Sequence, residues 1–137
     1  MKNRLLFLSL VCILILLVAV NDYYSDHLPK AMVNRIIQDS MNGKYSDLNI
    51  QSQDQETLQR FFSSEWATDD LGYSGDFTHA NPDLPELLYK FQHIEYDDDN
   101  NIRHVISGHL AVLMNRESYF KWEIKQVRIL NELHLNH

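Results

Sequence analysis

Polar and apolar positions are spread very unevenly along the chain. From Leu5 to Val20, sixteen consecutive residues are apolar except for Ser9, with Lys2 and Arg4 before them and Asn21, Asp22, Tyr23 and Tyr24 after. Sixteen helical residues reach about 24 Å, short of the roughly 30 Å hydrocarbon core of a bilayer. Extending the helix to Tyr24 completes a span and sets two tyrosines where interfacial aromatics are favoured. The positive start predicts an N-terminus that stays inside. Leu17 stands two places before Ala19, so no small-x-small cleavage pattern ends the run. The pattern therefore favours a retained anchor, with a cleaved signal as the alternative. Val11 directly before Cys12, and eight apolar residues after it, argue against lipid attachment. Residues 1–24 are read as a membrane anchor or signal segment, and 25–137 as one domain delivered across the membrane.

Within that domain the period changes twice. Asp26 followed by Pro29 reads as a helix start, Met32, Val33, Ile36, Ile37 and Met41 as its apolar stripe, and Asn42-Gly43 as its stop. Ser52 or Asp54 is expected to cap a second helix carrying Leu58, Phe61, Phe62 and Trp66. Residues 67–86 are rich in turn chemistry and show no period, which predicts a long irregular loop. Leu87, Tyr89, Phe91 and His93 then alternate, and Ile94 and Tyr96 continue one place out of phase, as a bulge produces. Asp97 to Asn101 reads as a hairpin turn. Ile102, Ile106, Leu110, Val112 and Met114 share one face of the next strand, and Val105, Ala111 and Leu113 the other, which predicts a central strand covered on both sides. Phe120, Trp122 and Ile124 alternate in a third strand whose phase shifts at Gln126–Val127. The fold class is α+β: a transmembrane helix, then two helices packed on a curved antiparallel sheet ending in a three-stranded meander.

Helices first, then long bent strands with the aromatic stretch Tyr119-Phe120-Lys121-Trp122-Glu123-Ile124, resembles the nuclear-transport-factor-2-like, or cystatin-like, cone superfamily over about residues 28–130. The resemblance implies a curved sheet wrapped around helices. It implies no single activity, because that superfamily includes both enzymes and membrane-anchored components of secretion and conjugation machines.

Charge narrows the partners. The 137 residues carry a net −7, and residues 25–137 alone hold 10 bases and 18 acids. Residues 65–99 hold ten acids and only Lys90, whereas residues 102–137 hold five bases and three acids. Such a domain is repelled by a phosphate backbone, which argues against nucleic acid. The expected partners are the membrane, through residues 5–24, and a protein with a basic surface, met by Asp69, Asp70 and Asp76. A solvated loop face is the plainer reading of those carboxylates. The single cysteine, Cys12, lies inside the apolar run, so the folded part has no disulfide and no thiolate chemistry.

No catalytic, cofactor-binding or metal-binding residue is assigned. His93 and His104 are placed near one another across the Asp97–Asn101 turn, with Glu95 or His109 nearby, but half-buried strand histidines explain them as well. Counted from Asp97, the sixth and twelfth positions of a calcium loop hold Ile102 and Gly108 instead of Gly and Glu. Gly72-Tyr73-Ser74-Gly75 lacks the spacing of a nucleophile elbow. Phe61, Phe62, Trp66 and Trp122 fit a packed core better than a ligand pocket. The reading is a membrane-anchored, non-catalytic binding or assembly module. The alternative is a cone that holds a small apolar ligand or performs general acid–base chemistry; a cavity of a few hundred Å³ between helices and sheet would favour it.

Overall fold

The computed structural model describes residues 2–78 and 85–136. Helix α1 (Lys2–Asp22) runs through a π turn (Tyr23–His27) directly into α2 (Leu28–Met41), and α3 (Ser52–Phe62) follows. Strands β1 (Gly72–Thr78), β2 (Glu86–Tyr96), β3 (Ile102–Ser118) and β4 (Lys121–Asn136) form one antiparallel sheet in chain order. The sheet is open, so β1 and β4 are both edges.

The break expected at Asp26 is absent. Asp26 does not cap a helix; it lies inside the π turn and pairs with Lys30 at 3.1 Å. Pro29 still leaves its mark. A proline has no N–H and crowds the carbonyl four residues back, so a regular α-helix cannot pass it undisturbed. Here the preceding turn widens, and the Leu28 N–H bonds the Tyr23 carbonyl, five residues back. The other end of α2 follows its sequence. Gly43 has φ +71°, its N–H bonds the Ser40 carbonyl at 3.0 Å, and the Lys44 N–H bonds that of Asp39 at 2.8 Å. This is the double bond of a helix ending on a left-handed glycine.

Neither residue expected to cap α3 does so. The residue before the helix is Gln51, which makes no side-chain cap. Asp54 is buried and turned towards the sheet, where its Oδ1 accepts the Val127 N–H at 2.7 Å. Edge strands expose unpaired backbone groups, and on β4 this carboxylate occupies one that a further strand would otherwise seek.

Residues 67–86 are not loop throughout, because β1 occupies Gly72–Thr78 and adds a fourth strand to the three anticipated. The part of the expected loop at 79–84 lies outside the described residues. Gly75 explains how so polar a segment packs. It pairs with Tyr89, whose ring lies flat over the glycine, with Cζ 2.4 Å from where a β-carbon would stand. Tyr89 is fully buried and its hydroxyl donates to Asn34 Oδ1 at 2.7 Å, so the ring is held at both ends. Burial pushes the Tyr89 phenol far above its ordinary range, keeping it a neutral donor.

The core fills one face of the sheet. Leu87, Tyr89 and Phe91 of β2, Leu110, Val112 and Met114 of β3, and Val127 of β4 meet Val33 and Ile37 of α2 and Leu58 and Phe61 of α3. Phe61, Phe62 and Phe91 pack ring to ring at 5.0–5.4 Å. The opposite face is only partly covered: Ala111 is buried, but Val105 and Leu113 are half-buried, and Ile102, expected on the core face, lies beyond the extra residue Arg103 and is exposed. The phase shift foreseen at His93–Ile94 occurs later, between Glu95 and Tyr96, where β3 carries the extra residue Arg103. The one foreseen at Gln126–Val127 falls just before it, at Lys125, and β4 shifts register again near Leu130.

Gly75→Ala is expected to destabilise the fold by about 1–3 kcal/mol, because the Tyr89 ring cannot withdraw without losing Asn34. Chemical denaturation of the variant checks this, and an unchanged midpoint contradicts the packing.

Candidate functional site

Two regions at opposite ends of the sheet concentrate polar and aromatic chemistry. The first is the junction between α1 and the β3–β4 hairpin. Pro29 has no N–H to offer the Tyr24 carbonyl, and the Leu28 N–H has moved to Tyr23. The Trp122 indole N–H takes the vacated position, bonding the Tyr24 carbonyl at 2.7 Å. Arg116, the cross-strand partner of Trp122, lies over the Trp122 and Tyr119 rings at 5.4 and 4.9 Å. Its guanidinium donates to the Tyr119 carbonyl at 2.9 Å and to Ser25 Oγ at 3.4 Å. The Tyr119 hydroxyl donates to Asn21 Oδ1 at 3.1 Å, and the Phe120 ring stands edge-on to Tyr24 at 4.8 Å. Lys121 pairs with Glu117 across the turn, which raises the lysine and lowers the carboxyl from their ordinary values.

The second region is the far end of the sheet. The β2–β3 turn places Asp97, Asp98 and Asp99 there, with Glu95 beside them and Arg103 reaching Glu95 at 3.8 Å. Asp69 and Asp70 join them because they precede β1 at the end where Gly72 pairs with Gln92, and the Asp70 carbonyl lies 3.3 Å from His93 Nδ1. Asp97 is occupied locally. Its Oδ1 accepts the N–H groups of Asp99 and Asn101 at 3.0 and 2.8 Å, and the Asn101 backbone N–H above all lowers its pKa. Asn100 supplies the left-handed residue of the turn, with φ +67°.

Asp76 does not join this end. It lies further along β1, opposite Leu88, and binds Lys30 at 3.0 Å. That contact, more than Asp26, holds the Lys30 ammonium above the usual lysine range. Asp69 and Asp70 are thus brought together and Asp76 is separated from them.

The register makes His93 and His104 diagonal neighbours on one face, with Glu95 directly opposite His104. His93 pairs with Ile106 and His104 with Glu95, two places out of step, while His109 pairs with Lys90. No three metal-ligating side chains converge among the described residues. Of the four aromatics weighed as pocket residues, Phe61 is core, and Phe62 and Trp66 pack against it from the end of α3 and the turn that follows. Only Trp122 borders a concavity, an open groove of about 780 Å³ between α2, residues 44–51 and the start of β4. Arg35, Asp39, Lys44, Asp47, Lys121 and Glu123 line it together with Met32, Ile36, Leu48, Ile50 and Ile124, so it is an open groove of mixed charged and apolar lining, and none of the histidines lines it.

No protein-family model matches the chain, and no curated protein or solved structure matches it significantly.

Trp122→Ala is expected to lower stability by about 3–5 kcal/mol through lost burial and a cavity. Trp122→Phe, which keeps most of the ring, should lose about 1–3 kcal/mol for the carbonyl left without its N–H. A Trp122→Phe variant as stable as the parent, measured by denaturation, would contradict the role given to the Tyr24 carbonyl.

Proposed function

We propose that this chain is a single-pass, membrane-anchored module with Met1 inside and residues 25–137 outside, and that it engages a basic partner protein without catalysis. α1 is long and apolar enough to cross a membrane or act as a signal sequence, and its side chains lie open on all sides, Leu5 at 73% and Leu14 at 64% exposure. A helix that apolar needs lipid or removal.

The observation that carries retention is the junction. Cleavage near residues 20–26 would cut the helical turn whose Asn21, Tyr24 and Ser25 bond Tyr119, Trp122 and Arg116. The domain would lose part of its own packing, which favours an anchor over a signal. With α1 fixed at one end of the sheet, Asp69, Asp70, Glu95, Asp97, Asp98 and Asp99 face away from the membrane. Acids concentrated there orient an approaching basic surface and speed encounter. Two helices lie on one face of an antiparallel sheet, the element order on which the cone resemblance rests. Of the alternative, the acid–base branch receives no comparable support, because the histidines lie apart from the groove, whereas the ligand-binding branch is favoured by the groove's volume and its partly apolar lining.

Intact-mass measurement of the membrane-bound protein is expected to include residues 1–24, and a start near residue 20–26 would replace the anchor with a secreted domain. In a Cys12→Ser background, Asp98→Cys should react with an impermeant maleimide on intact cells; reaction only after lysis would reverse the topology. Capture of a partner from solubilised membranes should weaken with added salt and in Asp69→Asn/Asp70→Asn. Capture indifferent to both would remove the acidic end from the account.

A further inference from the structure

The anchor reading leaves the tip of the β3–β4 hairpin with no stated purpose, although it is the most exposed aromatic feature of the folded part. Phe120 is 62% exposed and Tyr119 44%, and Tyr23 on the adjoining π turn is 51% exposed. Exposed rings at a hairpin tip are unfavourable in water unless something covers them.

Their height along α1 indicates what that is. The Tyr119 hydroxyl bonds Asn21, the first residue after the apolar run, one helical rise of about 1.5 Å beyond Val20. Phe120 packs on Tyr24, less than one turn further along. The tip therefore stands level with the point where the helix leaves its apolar stretch. It is fixed there, because Arg116 holds the Tyr119 carbonyl and Trp122 holds the Tyr24 carbonyl. Aromatic rings concentrate at this depth of a bilayer, where an apolar body meets lipid and a polar edge meets headgroups. Tyr119 meets that description with its hydroxyl tied to Asn21, and Phe120 presents an apolar ring beside it.

We propose that Tyr119 and Phe120 form a second membrane contact, dipping into the interfacial layer of the leaflet from which α1 emerges. The helix alone would leave the joined helix and domain free to tilt together in the bilayer. Two contacts, one spanning and one interfacial, set the angle of the sheet and hold its acidic end away from the surface. This rests on the anchor reading and goes beyond it, since an anchored domain can equally stand clear of the lipid.

The test uses the full chain in phosphatidylcholine vesicles with an environment-sensitive fluorophore on a single cysteine, read by quenching from brominated lipids. The label sits at native Cys12, or, in Cys12→Ser, at Phe120→Cys or Asp98→Cys. Strong quenching at Cys12, clear quenching at position 120 and none at position 98 is the expected result. Quenching at Cys12 with position 120 as unquenched and water-exposed as position 98 would overturn the interfacial contact and leave the anchor standing. A label at position 120 shielded from both water and lipid would overturn it in favour of contact with a second copy. A Cys12 label in water would overturn the anchor, and the interfacial contact with it. Phe120→Ser and Tyr119→Ser on the exposed tip supply a second readout. The quenching and emission of an unchanged label at Ser118→Cys should shift towards those of water if the rings hold the tip in lipid, and an unmoved signal contradicts it.

Discussion

A proline one turn into a helix creates a backbone vacancy, and the junction of this protein is organised around filling it. Pro29 cannot donate to the chain behind it, so the helix widens into a π turn and leaves the Tyr24 carbonyl without its helical partner. A buried carbonyl left unpaired costs about 1–3 kcal/mol. The Trp122 indole N–H removes that penalty from across the fold, 98 residues away in sequence. The bond ties the longest helical stretch to the longest hairpin, and it does so where α1 stops being apolar.

Much of the remaining arrangement follows from that tie. Because Trp122 and Arg116 are cross-strand partners, fixing the indole fixes the β3–β4 register next to the turn, and the guanidinium then closes over Tyr119. The hairpin tip cannot swing away from α1 without losing the contacts to Asn21, Tyr24 and Ser25 together. With one end of the sheet committed, the connections at the other end carry the acidic turns. Much of the charge asymmetry visible along the chain thus becomes a polarity in space, with the exceptions, among the described residues, of Asp76, which Lys30 of α2 retains, and Glu86, which Arg128 of β4 pairs near the other end.

What could be read from the sequence was what depends on local period or on a single residue's conformation. The alternation of Leu87, Tyr89 and Phe91 marks the buried face of β2, and Asn42-Gly43 marks the end of α2, because neither needs a distant partner. β1 was hidden for the opposite reason. Gly72-Tyr73-Ser74-Gly75-Asp76 has the composition of a turn, and it is a strand only because Tyr89 needs a residue without a side chain opposite its ring. Asp54 has the position of a cap residue, but a β4 backbone N–H is the stronger claim on it. The histidine pair is diagonal and not directly opposite: the Tyr96–Ile102 pairing alone would set Val105 against His93, and the extra residue Arg103 moves that partner on to Ile106. Tyr24 and Trp122 were both noticed as aromatics at significant places, yet nothing local couples a main-chain carbonyl to an indole so far along the chain.

The central claim is that α1 and the sheet form one rigid body through the Tyr24–Trp122 junction. The most direct measurement is the distance distribution between spin labels at native Cys12 and at Asp98→Cys, taken on the full chain in a bilayer by pulsed electron resonance. A single narrow distribution that broadens in Trp122→Ala is the predicted result. A broad distribution in the parent protein, unchanged by the substitution, would show that the helix and the domain move independently and would contradict the account.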